Sequence, residues 1–183
     1  GIGTTTPSAM ALGAAQDPTL TQSMYGIVGD ELAALGISLD FAPVADVNNN
    51  PNNPVVGTRS FGDDPFAVSM HVQAAIRGLR GAGVAATAKH FPGHGDTTVD
   101  SHLDLPAIPH DLARMRMIEL VPFVGAVAER VDVVMTAHVL FPAVEPAGVP
   151  ATLSPAILTG LLRNELRFEG VICTDCMEMN AIA

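Results

Sequence analysis

Basic residues are scarce in this sequence. Nine Lys and Arg stand against nineteen Asp and Glu, which gives a formal net charge of −10. Nucleic-acid binding depends on clustered positive charge that neutralises phosphates, so this balance argues against a nucleic-acid partner. The sequence also lacks the run of roughly eighteen apolar residues that a transmembrane helix needs. Its first residues, GIGTTTPSAM, show no targeting segment, which leaves a cytoplasmic or an exported location open.

Cysteine is equally rare, with only Cys173 and Cys176 in the segment CTDC. The C-x-x-C spacing suits a redox pair, but such pairs usually open a helix after a strand. Cys173 instead lies inside the apolar run GVICTD. We therefore do not expect a redox function, and two cysteines do not identify a compartment.

Hydrophobic residues make up 48% of the chain, enough for a substantial core in one domain or part of a larger one. Their spacing predicts helices that alternate with strands. The first two helices end at glycine, at Gly36 and at Gly81 or Gly83, and Ser154 before Pro155 has the pattern of a helix start. Helices are predicted over 17–36, 65–81, 111–130 with a break at Pro122, and 154–167; strands are predicted over 37–47, 84–90, 131–139 and 170–175.

The strands are apolar and barely alternate, which is typical of a parallel sheet covered on both faces. A doubly wound sheet and a (β/α)8 TIM barrel both fit that pattern. Polar residues follow every predicted strand, which favours a barrel, because a barrel collects residues from several strand ends in one site. Neither a G-x-G-x-x-G nor a Walker sequence is present. The residues after the strands are Asp46, Lys89 with His90, His138, and Asp175.

Four βα units are about half of a barrel, which needs eight strands and roughly 250 residues. We therefore expect residues 1–183 to form a partial α/β barrel domain that is truncated at both ends. Such a piece would expose strand edges that the missing units normally cover.

The segment KHFPGHGDTTVDSHLDLP, residues 89–106, concentrates ionisable side chains in an irregular connection. Three histidines and three acids exceed what turn geometry requires, so the segment suggests chemistry. Its pattern H-G-D-x-x-x-D-S-H contains possible zinc ligands but matches no usual zinc spacing, and no metal is predicted.

This segment and the stretch IPHDLARMRMIELVPF that follows it resemble the β-N-acetylglucosaminidase branch of the family 3 glycoside hydrolases. PSAMALGAA, LDFAPVADVNNNPNNPVVGTRSFGDDP and GVICTDCMEM extend the resemblance, in the family's order, across nearly the whole chain. The resemblance implies a (β/α)8 barrel and a retaining exo-glycosidase. Its substrate would be terminal β-linked N-acetylglucosamine on peptidoglycan or chitin fragments, and no cofactor is implied.

The same resemblance assigns roles to individual residues. Asp175 would be the nucleophile that forms the covalent glycosyl-enzyme, and His102 would be the general acid/base in a dyad with Asp100. The residues that would hold the sugar hydroxyls are Arg59, Lys89 and His90.

Residue chemistry agrees with the proposed dyad. A histidine that replaces a carboxylic acid as proton donor needs a partner that orients its ring and favours its charged form. Asp100 lies two residues before His102 and would serve as that partner. Gly93 and Gly95 would allow the loop to close over a bound sugar.

Several alternatives stay open. Asp175 could cap a helix, His102 could be a surface histidine, and Arg59 could pair with nearby acids. His94 and Asp96 could be loop scaffolding, with His138 a pocket wall or a core histidine.

Other functions also remain possible. A phosphorylase fits because a neutral histidine does not repel phosphate, and a β-glucosidase-like enzyme, a non-catalytic sugar-binding barrel and a metal-dependent hydrolase are further alternatives. The family's sugar-binding D-x-E-G-G segment is absent from this sequence, and the sequence does not define the aglycone.

Overall fold

The computed structural model describes residues 3–98, 101 and 104–182. Helices and strands alternate along these residues in the order expected from the sequence. The helices are α1 Ala9–Ala14, α2 Pro18–Ala34, α3 Pro65–Gly81, α4 Leu112–Met117, α5 Val121–Ala128 and the π-type helix α6 Ala156–Glu165. The strands are β1 Thr87–Phe91, β2 Val133–Thr136 and β3 Val171–Thr174, and short 3₁₀ turns cover Gly57–Arg59 and Ala151–Leu153.

The two longest helices begin where local chemistry favours a helix start. The carboxylate of Asp17 accepts hydrogen bonds from the first backbone N–H groups of α2, and Asp64 does the same for α3. Each cap is followed by proline, whose fixed φ and missing N–H suit the first helical turn. The two helices pack closely at Gly78, where a Cβ would lie only 2.5 Å from the Gln22 carbonyl oxygen.

The predicted helix over 111–130 is divided, as the proline in its middle indicates. α4 ends at Met117 and α5 begins at Val121, with Pro122 in its first turn. Phe123 from α5 packs edge-to-face on Phe91 of β1, with ring centroids 5.1 Å apart. This contact fastens the helical layer to the sheet.

The described strands form a parallel sheet in the order β1-β2-β3. Every residue of the central strand β2 is buried, whereas Val171 on β3 is 62% exposed. A parallel sheet with helical crossovers places all strand carboxyl ends on one rim, as in a TIM barrel. The chain thus has the α/β fold of the barrel type that its sequence predicts.

The first predicted strand, residues 37–47, is less regular than expected. It runs beside β1 but forms only isolated parallel bridges, Leu39 with Ala85 and Val44 with Lys89. Pro43 lies between these bridges, and without an N–H it cannot donate to the ladder. Its carbonyl still accepts from the Lys89 N–H, so the segment keeps its place at the edge of the sheet.

Among the helices of the described ranges, none is both long and apolar enough to cross a membrane.

Candidate active site

The polar residues that follow the strands lie on the same rim. His90 at the end of β1 places its Nε2 atom 3.9 Å from Oδ2 of Asp175, which directly follows β3. The charges of Arg59 and Asp175 both act on the ammonium group of Lys89. The structure therefore brings together Arg59, Lys89, His90 and Asp175, the arrangement expected of residues at parallel strand ends.

Asp46 lies beneath this group and is completely buried. Its Oδ1 atom accepts hydrogen bonds from the backbone N–H groups of His90, at 3.2 Å, and His94, at 2.8 Å. Its Oδ2 atom lies 2.7 Å from Nδ1 of His90. Burial alone would raise the pKa of Asp46, but the charges of His90 and His94 and their hydrogen bonds hold that pKa below its ordinary value. Asp46 is thus a buried, ionised carboxylate.

A β-bulge determines how His90 is presented. In the register between β1 and β2, Lys89 pairs with Met135 and Phe91 with Thr136, so His90 has no partner of its own. The peptide bond between Lys89 and His90 is cis. Bulges next to active sites re-aim side chains, and here one ring nitrogen of His90 faces Asp46 while the other faces Asp175.

Lys89 is half-buried within a ring of charges. Burial, and secondarily the positive charge of Arg59, lowers the pKa of Lys89, although Asp175, Asp40 and Asp46 act in the opposite direction. Arg59 itself is exposed, and its guanidinium donates a 2.9 Å hydrogen bond to the Val55 carbonyl. The two cations therefore lie close to Asp175, with Lys89 half-buried and Arg59 exposed.

The carboxylate of Asp175 is partly accessible, with 25% of its side chain exposed. Its Oδ1 atom accepts a 2.8 Å hydrogen bond from the Cys176 N–H, and its own N–H donates to the Thr136 carbonyl, which extends the ladder of β3. In the part of the chain described after β3, no helix begins for Asp175 to cap. The carboxylate is fixed at one oxygen and open at the other.

The loop after β1 is held by a side chain from another segment and by hydrogen bonds within the loop. The amide nitrogen of Asn53 donates to the carbonyls of His94, at 2.8 Å, and Gly95, at 3.0 Å. His94 is buried and uses its two ring nitrogens to contact Thr97 and Ser101, so it serves as loop scaffolding. The predicted dyad of Asp100 and His102 lies outside the described residues, on either side of Ser101.

Close packing requires glycine at position 95, independently of any movement of the loop. A Cβ at this position would lie 1.8 Å from the Val47 carbonyl oxygen, so only glycine allows the loop to pack on the segment before it. Gly93 differs, because its φ of +133° is a conformation that favours glycine.

A second ionic cluster joins this loop to α4. Asp96 Oδ2 lies 2.6 Å from Nε2 of His110, and Arg114 lies 3.5 Å from Asp96 and 3.3 Å from Glu119. Glu119 is nearly buried, and burial raises its pKa despite the opposing charge of Arg114. The sequence analysis did not identify Glu119 as a member of this cluster. The signal available in the sequence was an acidic residue, Glu119, among the apolar residues between α4 and α5.

The same cluster has the composition of a metal site. The ligand atoms of Asp96, His110 and Glu119 lie within 4.8 Å of one another. However, Arg114 already contacts both carboxylates and His110 contacts one of them, so the negative charge has protein partners. We therefore interpret the cluster as an ion-pair network that braces the loop.

His138 is a buried core histidine that supports the segment after β3. Its Nδ1 atom lies 2.8 Å from the Thr152 hydroxyl, and its Nε2 atom lies 3.0 Å from the Cys176 carbonyl oxygen. Because a carbonyl only accepts, Nε2 carries the proton in this contact. His138 thereby fixes the backbone immediately after Asp175.

Comparison with known proteins agrees with this architecture. Residues 1–183 match the model of the glycosyl hydrolase family 3 N-terminal domain. The chain is 43% identical to beta-hexosaminidase A of Pseudoalteromonas piscicida over 167 residues, which cover 85% of this chain and 28% of that protein.

Solved structures show the same similarity. A family 3 β-N-acetylglucosaminidase from Paenibacillus sp. str. FPU-7 superposes with a TM-score of 0.97 at 57% identity, over 98% of this chain and 34% of that one. NagZ from Neisseria gonorrhoeae, in complex with N-trifluoroacetyl-D-glucosamine, gives a TM-score of 0.90 at 35% identity, over 97% of this chain and 53% of that one. The chain thus spans about a quarter to a half of the length of these relatives. Because the family model matches all of its residues, the chain belongs to glycosyl hydrolase family 3.

Proposed function

We propose that this chain supplies the nucleophile and the sugar-binding cations of a retaining exo-β-N-acetylglucosaminidase. The observation that carries the proposal is the Asp175 carboxylate at the carboxyl end of β3. It is partly exposed, lies 3.9 Å from His90 and acts electrostatically on Lys89. Retaining glycoside cleavage requires a carboxylate held near the anomeric carbon and a proton donor on the leaving-group side. The names of the relatives support N-acetylglucosamine as the sugar.

In the first step, a carboxylate oxygen of Asp175 attacks the anomeric carbon while the bond from that carbon to the departing oxygen breaks. His102 gives its proton to the departing oxygen, so the product leaves as an alcohol. In the second step, His102 takes a proton from water as the water attacks the anomeric carbon, and Asp175 is released. Asp100 orients the His102 ring and favours its charged form.

The remaining cations act on the substrate. Lys89 and Arg59 donate charge-assisted hydrogen bonds to sugar hydroxyls, and His90 contributes its Nε2 atom beside Asp175. Peptidoglycan or chitin fragments are the proposed source of the terminal sugar.

Replacement of the nucleophile tests the proposal in the full-length protein. Asp175→Ala should abolish hydrolysis of an N-acetylglucosaminide, and a slow fluorinated analogue should label wild-type Asp175 covalently. Glu178→Ala is the matched control, because Glu178 is an exposed acid three residues further on. It should keep both activity and labelling. A label on another carboxylate, or a product with inverted anomeric configuration, would refute the assignment.

The same assay separates the alternatives. Release of a sugar 1-phosphate only when phosphate is present would identify a phosphorylase. Faster cleavage of a glucoside than of an N-acetylglucosaminide would identify a β-glucosidase-like enzyme. Activity lost on chelation and restored by a metal would identify a metal-dependent hydrolase.

A further inference from the structure

Asp46 connects the separate segments that carry the sugar-binding residues. Its backbone carbonyl accepts a 2.7 Å hydrogen bond from the hydroxyl of Ser60, the residue after Arg59. Its carboxylate accepts from His90 at the end of β1 and from His94 in the following loop. A single buried residue thus links three segments of the rim.

The carboxylate also determines where His90 carries its proton. An ionised carboxylate has acceptors only, so the 2.7 Å contact between Asp46 Oδ2 and His90 Nδ1 requires a proton on Nδ1. The lowered pKa of Asp46 agrees with the ionised form. In the neutral ring Nε2 is then the unprotonated atom, and it faces Asp175 at 3.9 Å.

We infer that Asp46 is a positioning residue that fixes the Nδ1–H form of His90 and reserves Nε2 for the bound sugar. The functional part of this inference rests on the proposed glycosidase activity, whereas the protonation pattern does not. Asp46 contacts no substrate atom itself. It acts through His90, in the way that an outer carboxylate sets the tautomer of a histidine ligand.

The substitution Asp46→Asn changes the direction of this hydrogen bond while keeping the side-chain size. The amide oxygen can still accept from the backbone N–H groups of His90 and His94. The amide nitrogen then donates towards Nδ1, which must lose its proton, so the neutral ring carries its proton on Nε2.

The experiment uses the full-length protein with ¹⁵N-labelled histidine and two-bond proton–nitrogen spectra. His90→Gln assigns the His90 signals. In the wild type at neutral pH, Nδ1 should show a protonated-type signal, as its contact with the Asp46 carboxylate requires. In Asp46→Asn, the two nitrogens should exchange their signal types at neutral pH.

Activity is measured in parallel on an N-acetylglucosaminide. We expect Asp46→Asn to lower kcat/KM by about 10²-fold, the order of loss caused by small misplacement of active-site groups. The control is Asp132→Asn, which makes the same change at a carboxylate that also accepts a backbone N–H, from Ala86, at 3.1 Å. Asp132 lies before β2, at the opposite rim, so activity should stay near the wild-type value.

Each outcome decides the inference. A protonated Nε2 with an unprotonated Nδ1 in the wild type would overturn it, as would an exchanged tautomer in Asp46→Asn without loss of activity. The wild-type spectrum still decides the first point if Asp46→Asn does not fold. If the protein cleaves no glycoside while His90 shows the expected spectra, the proposed activity fails and the protonation pattern stands.

Discussion

Substitution of Gly95 tests whether close packing of the loop after β1 is needed for activity. A Cβ at this position would lie 1.8 Å from the Val47 carbonyl oxygen and 2.5 Å from its carbonyl carbon. Since ordinary contacts begin at 3.4 Å, the loop and the Val47 segment must separate by about 1.6 Å in Gly95→Ala. Both neighbours are main-chain atoms, so no side-chain rotation relieves the overlap.

The separation has two expected consequences. Overpacking in a buried site destabilises a protein by about 1–3 kcal/mol, which thermal unfolding would detect. The loop also carries Asp96 and leads to the proposed dyad, and misplacement of active-site groups by about 1 Å costs about 10²-fold in rate. We therefore expect Gly95→Ala to lower kcat/KM for an N-acetylglucosaminide by about 10²-fold or more, measured well below its melting temperature.

Gly81→Ala is the control for this experiment. Gly81 is exposed at the end of α3, and a Cβ there would meet nothing within 4 Å. Alanine favours helix more than glycine does, so this change should be neutral or stabilising by up to about 1 kcal/mol. If Gly95→Ala matched the wild type in melting temperature and kcat/KM, the close approach would have no consequence and the argument would be refuted.

Two further predictions concern charge at the same rim. Lys89→Met should lower kcat/KM about tenfold to hundredfold through loss of a charged hydrogen bond, yet raise the melting temperature at pH 7 because it removes a partly buried charge. Burial lowers the pKa of Lys89 in the folded protein below its ordinary value of 10.5. Between the folded-state pKa and 10.5, the free energy of unfolding of the wild type rises with pH, so the stability advantage of Lys89→Met should shrink there. A pH-independent difference in stability between the two proteins would contradict this. His102→Ala, and more mildly Asp100→Ala, should slow a natural disaccharide far more than a nitrophenyl glycoside in single turnover. Equal losses would assign the proton to another residue.

Local sequence patterns predicted much of the fold. The caps at Asp17 and Asp64 and the prolines after them define where α2 and α3 begin. The predicted first strand is irregular because Pro43 has no N–H to donate to the ladder of hydrogen bonds. Whether the missing N–H interrupts the ladder depends on which strand lies beside it. That neighbour is far away in sequence, so the pattern of apolar residues within the strand does not predict the irregularity.

The candidate site was likewise only partly predictable from the sequence. The sequence-predicted residues Lys89, His90 and Asp175 share one rim because they lie at the ends of parallel strands, and Arg59 joins them from the turn Gly57–Arg59. The buried contact between Asp46 and His90 was not predictable in the same way. It joins segments 44 residues apart, and only the folded chain brings these partners together.

The hydrogen bonds between the asparagine-rich turn, residues 48–54, and the loop after β1 have a consequence for chemical durability. Asparagine ages by deamidation when the backbone nitrogen of the next residue attacks its side-chain amide and closes a five-membered succinimide ring. Asn50 donates to the Thr97 carbonyl and Asn53 to those of His94 and Gly95, and each is followed by proline, at positions 51 and 54. A proline nitrogen carries no hydrogen and cannot close that ring in the usual way. The two amides that hold the loop are thus the ones in the turn whose sequence protects them from this form of decay.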